Sequence, residues 1–402
     1  MISVQEALNI LSANIPKPQR KIVPLEEAYR CYLFEEILAP EPSPRYTNSA
    51  MDGFALRWAD CQDASSKDPV RLHIIGESQA GIPFDGEVRG GTAVRISTGA
   101  MLPAGADSVV RVEDTRENNS HVEITGIRAI GQDIRFAGEE FREGEHLFAK
   151  GYRLGSRELA LLASFGIHQV PVYAPPRVSL LVTGTELASP SDHTIEPHQI
   201  RDSNSIMLAN AVREVGASVH SCLHVEDRFD QTTEAVRQAA DSGDDIILCS
   251  GGVSVGKHDH VKDAALSAGF TELFWKIRQK PGKPLFVGRR DDTLLFGLPG
   301  NPVSAFMCFH NYVRPVIAEL LGTSSVNRTV TAKITEMVFN NGTRTNFVRV
   351  CLEIKPNEVA LIKEVAQQGS HMLSSIVNAD GYLVLEPGEE LKPGSLVEVF
   401  LF

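Results

Sequence analysis

The sequence lacks the cysteine spacing that marks a zinc centre or a disulfide framework. Its 402 residues contain six cysteines, at positions 31, 61, 222, 249, 308 and 351, and no two of them form C-x-x-C. Scattered cysteines of this kind favour neither metal ligation nor disulfide pairing. The pattern therefore predicts a cytoplasmic protein without a zinc centre.

Long apolar runs and an excess of basic residues are also absent. No apolar stretch approaches the ~20 residues that span a membrane. The N-terminal MISVQEALNILSANIPKPQRK has neither the basic nor the apolar region of a signal peptide. The formal net charge of -12 at pH 7 opposes wholesale binding to nucleic acid or to an anionic membrane. We therefore expect neither as a partner.

Changes of texture along the chain indicate several domains. Short β-like runs rich in glycine and proline fill residues 43 to 140. Apolar strands then alternate with helices from about 175 to 322, ending in a long helix over NPVSAFMCFHNYVRPVIAELLG, and such alternation is typical of a mostly parallel sheet covered on both faces. We predict a multi-domain α/β plus β protein with a linking domain (1–42 and 141–172), an inserted β-rich domain (43–140), a central three-layer α/β domain (173–322) and a C-terminal β-rich domain (323–402).

Polar residues follow successive strands of the predicted α/β domain. Open sheets of this class bind ligands beyond the carboxyl ends of their strands. We therefore expect carboxylates, lysines and glycine-rich turns to converge on one edge: Glu186 in TGTEL, Asp227 in EDRFD, Ser250, Ser254 and Asp259 in SGGVSVGKHD, Lys280 and Lys283 in KPGKP, and Pro299 to Ala305 in LPGNPVSA.

The glycine-rich and acidic segments also have ordinary structural explanations. SGGVS would let backbone amides approach an anion, but a plain turn between a strand and a helix explains it as well. The segment is neither a P-loop nor G-x-G-x-x-G. Asp227 and Asp259 suit a hard cation such as Mg²⁺, whereas either one alone is more typical of a helix N-cap.

The basic segments are similarly open. Lys280 and Lys283 flank Pro281-Gly282 and would hold an oxyanion in a rigid turn, or would form a solvated basic turn. His258 and His260 have no third nitrogen or sulfur ligand nearby, which favours exposed loop histidines over a transition-metal site.

The inserted region has three polar turns. NSAMDGFAL contains the Asp52-Gly53 turn signal, and RISTGAMLP (95–103) and GQDIRFAGEE (131–140) are the others. Spacing alone does not decide whether these turns reach the α/β site.

Taken together, these segments resemble a known family. NSAMDGFAL, RISTGAMLPAGAD, TGTEL, RDSNS, SGGVSVGKHDHVKD, FWKIRQKPGKPLFVG and GLPGNPVSAFMCFHNYVRP are similar to the motifs of the molybdopterin molybdenumtransferases, which include the C-terminal domain of gephyrin. The resemblance runs from about residue 3 to 402. It implies an elongated homodimer, a C-terminal β-barrel-like domain, and an active site shared between the subunits.

The family resemblance also implies a reaction. Members insert molybdate into adenylylated molybdopterin and release AMP with Mg²⁺, and contact with the molybdopterin adenylyltransferase is expected. The thiolates that receive molybdenum belong to the pterin, so scattered protein cysteines fit. A tungsten-specific or inactive paralogue and a gephyrin-like scaffold are the alternatives.

Individual positions inherit implied roles from the matching motifs. Arg344 and Ser375 are alternatives to Arg349 and Ser370, and Asp133 replaces the asparagine of many relatives. Catalytic positions are implied at Asp52, Thr98, Glu186, Asp227, Asp259, Lys276 and Lys280, with Mg²⁺ on Asp227, Asp259 and Glu186, and substrate contacts at Arg135, Ser250, Gly251, Gly252, Ser254, Lys283, Pro299, Gly300, Asn301, Pro302, Ser304, Arg349 and Ser370.

Overall fold

The chain folds into two compact units. The computed structural model describes residues 1–253, 260–323, 328–356 and 358–402. The main unit consists of Met1–Phe34, Gly151–Gly155 and Gln169–Phe402, and the inserted unit consists of Glu35–Lys150 and Ser156–His168. The predicted fold class, multi-domain α/β plus β, is confirmed. The four domain boundaries stay a prediction.

Most elements before residue 174 are short strands. The elements of this part are α1 (Val4–Ser12), β1 (Arg20–Pro24), β2 (Ile37–Leu38), β3 (Asn48–Ser49), β4 (Gly53–Leu56), α2 (Trp58–Cys61), β5 (Val70–Ser78), β6 (Thr92–Ile96), β7 (Ser108–Arg111), β8 (Thr115–Asn118), β9 (His121–Ile124), β10 (Ile134–Arg135), β11 (His146–Phe148), α3 (Ser156–Ser164) and β12 (Gln169–Tyr173), with 3₁₀ turns at Leu25–Glu27 and Val112–Asp114.

Strands and helices alternate in the central part. Its elements are β13 (Arg177–Thr183), β14 (Leu187–Ala188), β15 (Ile200–Arg201), α4 (Asn204–Glu214), β16 (Ser218–Val225), α5 (Phe229–Asp241), β17 (Ile246–Ser250), α6 (Val261–Ser267), β18 (Thr271–Trp275), β19 (Gln279–Lys280), β20 (Phe286–Arg290), β21 (Thr293–Leu298), α7 (Pro302–Cys308) and α8 (Arg314–Leu320). A π-helical turn, Phe309–Val313, divides the expected long helix into α7 and α8.

The C-terminal part is mostly strand. Its elements are β22 (Thr329–Ile334), β23 (Val338–Phe339), β24 (Thr345–Glu353), β25 (Ala360–Glu364), α9 (Ser374–Val377), β26 (Gly381–Leu385), β27 (Glu390–Leu391) and β28 (Leu396–Leu401).

The central sheet has the order β16-β13-β17-β21-β20-β18. The first four strands are parallel, and β20 and β18 run antiparallel to their neighbours. The expectation of a mostly parallel sheet is therefore confirmed. Alternate residues of each strand enter the two cores that flank the sheet: on β17, Ile246 and Leu248 join the core that contains α4, α7 and α8, while Ile247 and Cys249 join the core that contains α5 and α6.

The ends of α4 show how the local sequence fixes this arrangement. The Asp202 carboxylate accepts a hydrogen bond of 3.0 Å from the Ser205 amide, which satisfies one free donor of the first turn. Gly216 follows the helix with φ +91°, a conformation that glycine adopts at little cost. The chain then enters β16 directly.

Five strands of the C-terminal part close into a barrel. The pairings run β24–β25–β22–β28–β26, and β26 pairs with β24 as well, which leaves no free edge in the ring. The barrel-like prediction is confirmed. The short strand β19 adds to β24, with Gln279 opposite Thr345, so the Lys280 turn is attached to the barrel.

The inserted unit is built on a six-stranded sheet of order β7-β4-β6-β5-β9-β8. Its apolar core comprises Phe54, Leu56, Cys61, Leu72, Ala93, Val110, Val122 and Ile124. Nowhere in the four described ranges of the chain is there a helix long and apolar enough to cross a membrane.

We expect Gly53→Ala to destabilise the inserted unit, because the added Cβ would lie 2.0 Å from the Val110 carbonyl oxygen in the adjacent strand. Overpacking of this kind costs about 1–3 kcal/mol or more. Urea unfolding of the full chain, followed by tryptophan fluorescence, measures the loss. Gly126→Ala is the matched control, since its nearest neighbour is 3.9 Å away; equal midpoints for the two variants would contradict the prediction.

Candidate active site

The carboxyl ends of the four parallel strands lie in register. Thr183 of β13 is opposite Val225 of β16, and Ser250 of β17 is opposite both Val182 and Leu298. The loops that leave these strands therefore start at one edge of the sheet. We call it the carboxyl edge, and it is where open α/β sheets place their ligands.

Asp227 joins two of these loops. Its Oδ2 atom accepts a hydrogen bond of 3.0 Å from the Thr185 amide, which places the loop after β16 against the loop after β13. Glu186 is the next residue along that loop. Two of the three carboxylates expected to hold Mg²⁺ thus lie on neighbouring segments of the carboxyl edge, and their oxygen donors are the kind that Mg²⁺ prefers.

Asn204 connects the two glycine-rich loops. Its Nδ2 group donates 2.8 Å hydrogen bonds to the Ser250 hydroxyl and to the Gly300 carbonyl. The side chain is 8 % exposed, and its Oδ1 atom has no hydrogen-bond partner among the described residues. A buried acceptor of this kind costs free energy unless a ligand or water satisfies it. One amide therefore fixes the spacing of both loops.

Gly251 and Gly252 bring the backbone close to Thr183. Their φ angles are +96° and +64°, and a Cβ atom on Gly251 would lie 2.7 Å from the Thr183 carbonyl oxygen. The Thr183 hydroxyl is buried and has no partner within the described ranges. Both positions therefore favour glycine. The Gly251 amide donates a 3.1 Å hydrogen bond to the Leu298 carbonyl, whereas the Gly252 amide has no backbone partner among the described residues.

Buried hydrogen bonds of Gln279 support the basic turn that carries Lys280 and Lys283. Gln279 is fully buried, accepts a hydrogen bond from the Tyr312 hydroxyl, and donates one of 3.1 Å to the Gly282 carbonyl. Both lysines remain exposed while the turn between them is buried. The two lysine side chains therefore extend into solvent from a buried, hydrogen-bonded turn.

Lys276 stands on an aromatic face beside the same turn. Its Nζ atom lies 3.6 Å from the centroid of the Trp275 ring, and the Nζ atom of Lys262 lies 4.0 Å from that centroid. The Trp275 indole N–H donates a 3.3 Å hydrogen bond to the Val253 carbonyl, at the end of the loop after β17. Trp275 therefore links the basic turn to the glycine-rich loop.

Arg349 is a buried cation without a carboxylate partner in the described part of the chain. It is 1 % exposed, and its Nε and Nη2 atoms have no hydrogen-bond partner there. Burial lowers the pKa of its guanidinium, and Glu364 opposes that shift. The pKa of Glu364 is raised by burial, with Arg349 and Lys280 opposing, so these three groups act on one another.

The alternative residues of the C-terminal module differ in their hydrogen bonds. Arg344 donates a 3.2 Å hydrogen bond to the Gln279 carbonyl and supports the basic turn. The Ser370 hydroxyl accepts a 3.2 Å bond from Asn301, and its carbonyl accepts one from the Val303 amide. The buried Ser375 hydroxyl has no partner among the described residues. Arg349 and Ser375 thus keep hydrogen-bonding atoms without a partner in the described residues, while Ser370 holds the loop that precedes α7. Which of the four residues contact substrate stays a prediction.

The remaining positions of that loop differ in accessibility. Pro299 and Ser304 are buried, Pro302 is partly buried, and Gly300 and Asn301 are exposed. A Cβ atom on Gly300 would lie 3.7 Å from the Gly251 Cα atom, so the two glycine-rich loops touch. The exposed members of the set border the Ser250–Gly252 segment.

Three loops of the inserted unit meet around Asp52. Its Oδ1 atom accepts hydrogen bonds from the Thr98 amide (2.7 Å) and hydroxyl (3.1 Å). The Ala50 amide donates to the Asp133 carbonyl at 2.8 Å, which adds the loop that leads to Arg135. The three polar turns of the sequence thus form one cluster, and Arg135 is exposed beside it.

Asp133 has a structural partner of its own. Arg111 donates two hydrogen bonds to its carboxylate, at 2.8 and 2.9 Å, and this pairing lowers the pKa of Asp133. The residue adopts φ +54°, which aspartate tolerates better than most side chains. The carboxylate of Asp133 is therefore accommodated at this position by a bidentate ion pair with Arg111.

Ser254, His258 and Asp259 lie outside the described residues. No group of three or more histidine, cysteine or acidic side chains that could hold a metal occurs in the rest of the chain. His260 directly precedes α6, with its ring 6.2 Å from that of Phe229.

Asn204 and Thr183 are not among the candidate site residues predicted from the sequence, and Ser375 is predicted only as the alternative to Ser370. Asn204 lies in the RDSNS segment, so the motif was a signal for it, whereas its two hydrogen bonds depend on the register of strands distant in sequence. Thr183 ends an apolar strand and is the first residue of TGTEL, so that motif was its signal. The burial of the Ser375 hydroxyl has no signal in the sequence.

We expect Asn204→Ala to loosen the carboxyl edge, because it removes the amide that donates hydrogen bonds to the Ser250 hydroxyl and the Gly300 carbonyl. Losing a buried polar partner costs about 1–3 kcal/mol, and hydrogen exchange at the Gly251 and Gly252 amides should accelerate. Asn210→Ala is the matched control, since Asn210 lies on the same helix and bonds only within it, to the Ile206 carbonyl and to Arg213. Equal exchange in both variants would refute the role of Asn204.

Three sequence families match the chain in order. They are described as "MoeA N-terminal region (domain I and II)" over residues 2–166, "Probable molybdopterin binding domain" over 179–319 and "MoeA C-terminal region (domain IV)" over 331–402. The chain is 33% identical to molybdopterin molybdenumtransferase of Bacillus subtilis (100% of this chain, 94% of the relative) and 34% identical to molybdopterin molybdenumtransferase 2 of Mycobacterium tuberculosis (100% and 99%). A solved molybdopterin biosynthesis MoeA protein from Pyrococcus horikosii superposes with a TM-score of 0.87 at 30% identity over 100% of this chain and 99% of that one. The chain therefore belongs to the molybdopterin molybdenumtransferase family of enzymes.

Proposed function

We propose that this protein inserts molybdate into adenylylated molybdopterin, with Mg²⁺-dependent release of AMP, in the cytoplasm. Family membership supports the transfer of molybdenum to molybdopterin. The observation that carries the finer proposal is the carboxyl edge, where carboxylates and glycine-rich segments lie on loops joined by Asn204 and Asp227. The exposed lysines lie on a turn that Trp275 links to the loop after β17. A substrate with a phosphoanhydride needs all three kinds of group.

The pterin phosphate and the nucleotide would lie against the glycine-rich loops. Gly251 and Gly252 present backbone without side chains, and Gly300 and Asn301 are exposed beside them. Backbone amides and Lys276 would offset the negative charge that develops as the phosphoanhydride is cleaved. These groups need no rearrangement because their loops are already bonded to each other.

Asp227, Glu186 and Asp259 would hold Mg²⁺. The bond from Thr185 to Oδ2 of Asp227 orients that carboxylate and leaves its Oδ1 atom available for other contacts. Mg²⁺ held there would supply positive charge that offsets the negative charge of the AMP leaving group. The chain's own task is to keep these oxygens at one edge of the sheet.

Molybdate would lie between the basic turn and the barrel. Lys280 and Lys283 supply mobile cations, and Arg349 supplies a buried one whose free N–H groups, together with the Ser375 hydroxyl, can donate to an oxyanion. A buried cation whose N–H groups lack hydrogen-bond partners is costly, so a bound oxyanion would stabilise this region. The Cys249 thiol would not compete for the metal, since burial raises its pKa to about 12.

We further propose a homodimer whose active site is completed by the partner subunit. The Asp52, Thr98 and Arg135 cluster of the inserted unit would supply that contribution. Because an adenylylated pterin is a reactive intermediate, contact with the molybdopterin adenylyltransferase would deliver it directly.

We expect Asp227→Asn to lower Mg²⁺-dependent AMP release by roughly 10²-fold or more, because it removes a charged metal and phosphate-site group. The assay supplies adenylylated molybdopterin, molybdate and Mg²⁺, and measures AMP together with active cofactor. Asp230→Asn, an exposed change three residues away, is the control. No turnover by folded wild-type protein would sink the proposal.

We expect Asp52→Ala and Asp227→Ala, each inactive alone, to regain about a quarter of wild-type activity when denatured together and refolded at equal concentration. Half of the resulting dimers would be mixed, and each would have one intact site of two. Light scattering checks the dimer. A mixture as inactive as its components would show that each site uses one subunit.

A further inference from the structure

A large cavity opens in the main unit at the end of the central sheet opposite the carboxyl edge. Its volume is about 930 Å³, and its lining includes Pro175, just before β13, and Ala217, just before β16. It therefore lies at the amino ends of the parallel strands, and we call it the amino-edge pocket. Ligand sites of proteins typically have volumes of about 300–1,000 Å³.

The lining of this pocket contains one acidic side chain, Glu214. It also contains five arginines: Arg30, Arg153, Arg213, Arg314 and Arg328. Within the described ranges, none of the five guanidinium groups forms an ion pair with a carboxylate. Arg213 instead approaches the Asn210 side chain at 3.4 Å. The lining therefore has a large excess of positive charge.

Arg314 is the most constrained of these cations. It is partly buried, and its Nη1 atom lies 3.1 Å from Nε2 of His310. Burial and the charge of Arg314 lower the pKa of His310 to about 3, so the imidazole is neutral and adds no charge to the lining. The pKa of Arg314 is itself lowered, first by burial and also by Arg328. Two cations thus share one wall without an anion between them.

The backbone that presents this wall is unusual. The π-helical turn Phe309–Val313 connects α7 to α8 and ends immediately before Arg314. Turns of this type are rare and frequently lie at functional sites. The His310 ring is fixed by contacts with the Phe306, Tyr382 and Phe402 rings, at 5.4 to 6.1 Å between centroids. The position of Arg314 is therefore rigid.

Aromatic rings contact two other arginines of the lining, Arg30 and Arg153. Arg30 lies 5.4 Å from the centroid of the Tyr29 ring, and Arg153 lies 5.8 Å from that of Tyr32. A guanidinium that stacks on a ring keeps its N–H groups free for an anion. Cations thus face the cavity from both the helical wall and the loop wall.

We propose that the amino-edge pocket binds a small polyanion with more than one phosphate-type group. Several forked donors around a volume of this size fit such a ligand better than a single small anion. Bound phosphate groups would neutralise the Arg314–Arg328 pair. The proposal is independent of the carboxyl-edge chemistry, because the two sites are built from opposite ends of the same strands.

Pyrophosphate is the probe, titrated by calorimetry into the full chain. Lys280→Gln with Lys283→Gln removes the exposed cations of the carboxyl edge, and we expect one pyrophosphate per chain to remain bound in that background. Adding Arg314→Gln or Arg328→Gln should weaken this binding at least ten-fold. Arg237→Gln, an exposed change on α5, should leave it unaltered. Inorganic phosphate should bind more weakly than pyrophosphate.

Several outcomes would overturn the proposal. They are an absence of pyrophosphate binding by wild-type protein, complete loss in the lysine variant, and unchanged affinity in the arginine variants. A shift in oligomeric state with no change in anion affinity would instead assign the pocket to an acidic segment of a second copy. If Arg314→Gln does not fold, Arg328→Gln and Arg213→Gln decide, since both residues are exposed.

Discussion

Four parallel strands end in register, and this constraint determines where the polar groups of the α/β domain lie. Because Ser250 is opposite both Val182 and Leu298, the loops that follow β13, β17 and β21 start from one line of the sheet. A single buried amide, Asn204, then suffices to join two of them. If the register shifted by one residue, that amide would face different partners and the buried faces of the strands would exchange.

The pairing of β19 with β24 extends this constraint to the barrel. Gln279 lies opposite Thr345, so the lysine turn is paired directly with the strand that carries Arg349. The buried guanidinium can therefore remain beside exposed lysines without a carboxylate bond among the described residues. Such an arrangement is unfavourable in isolation. It is understandable as the charge pattern of a site whose ligand is an oxyanion.

The sequence predicted those features that depend on local pattern. Apolar runs predicted β13, β17 and β21, and the positions after β16, β17 and β21 pointed to Asp227 and the glycine-rich loops. Other features depend on distant pairing: the barrel closes through β24–β26, and it was expected only through the family resemblance. The free hydroxyl of Ser375 is a consequence of burial, which no sequence pattern reveals. The π-helical turn was also missed, because apolar periodicity continues through Phe309–Val313 as it would in one long helix.

The two ends of the sheet meet anions by different means, and the chain's composition makes the amino end informative. At the carboxyl edge, backbone amides and lysines are combined with carboxylates. At the amino-edge pocket, five arginines are lined up with one carboxylate. The chain has 51 acidic and 39 basic residues, so counter-charges are plentiful. The grouping of Arg314 and Arg328 in one lining without a paired carboxylate among the described residues is therefore not imposed by a shortage of acids. Burial and the charge of Arg328 lower the pKa of Arg314, and a bound polyanion would offset the repulsion between the two cations.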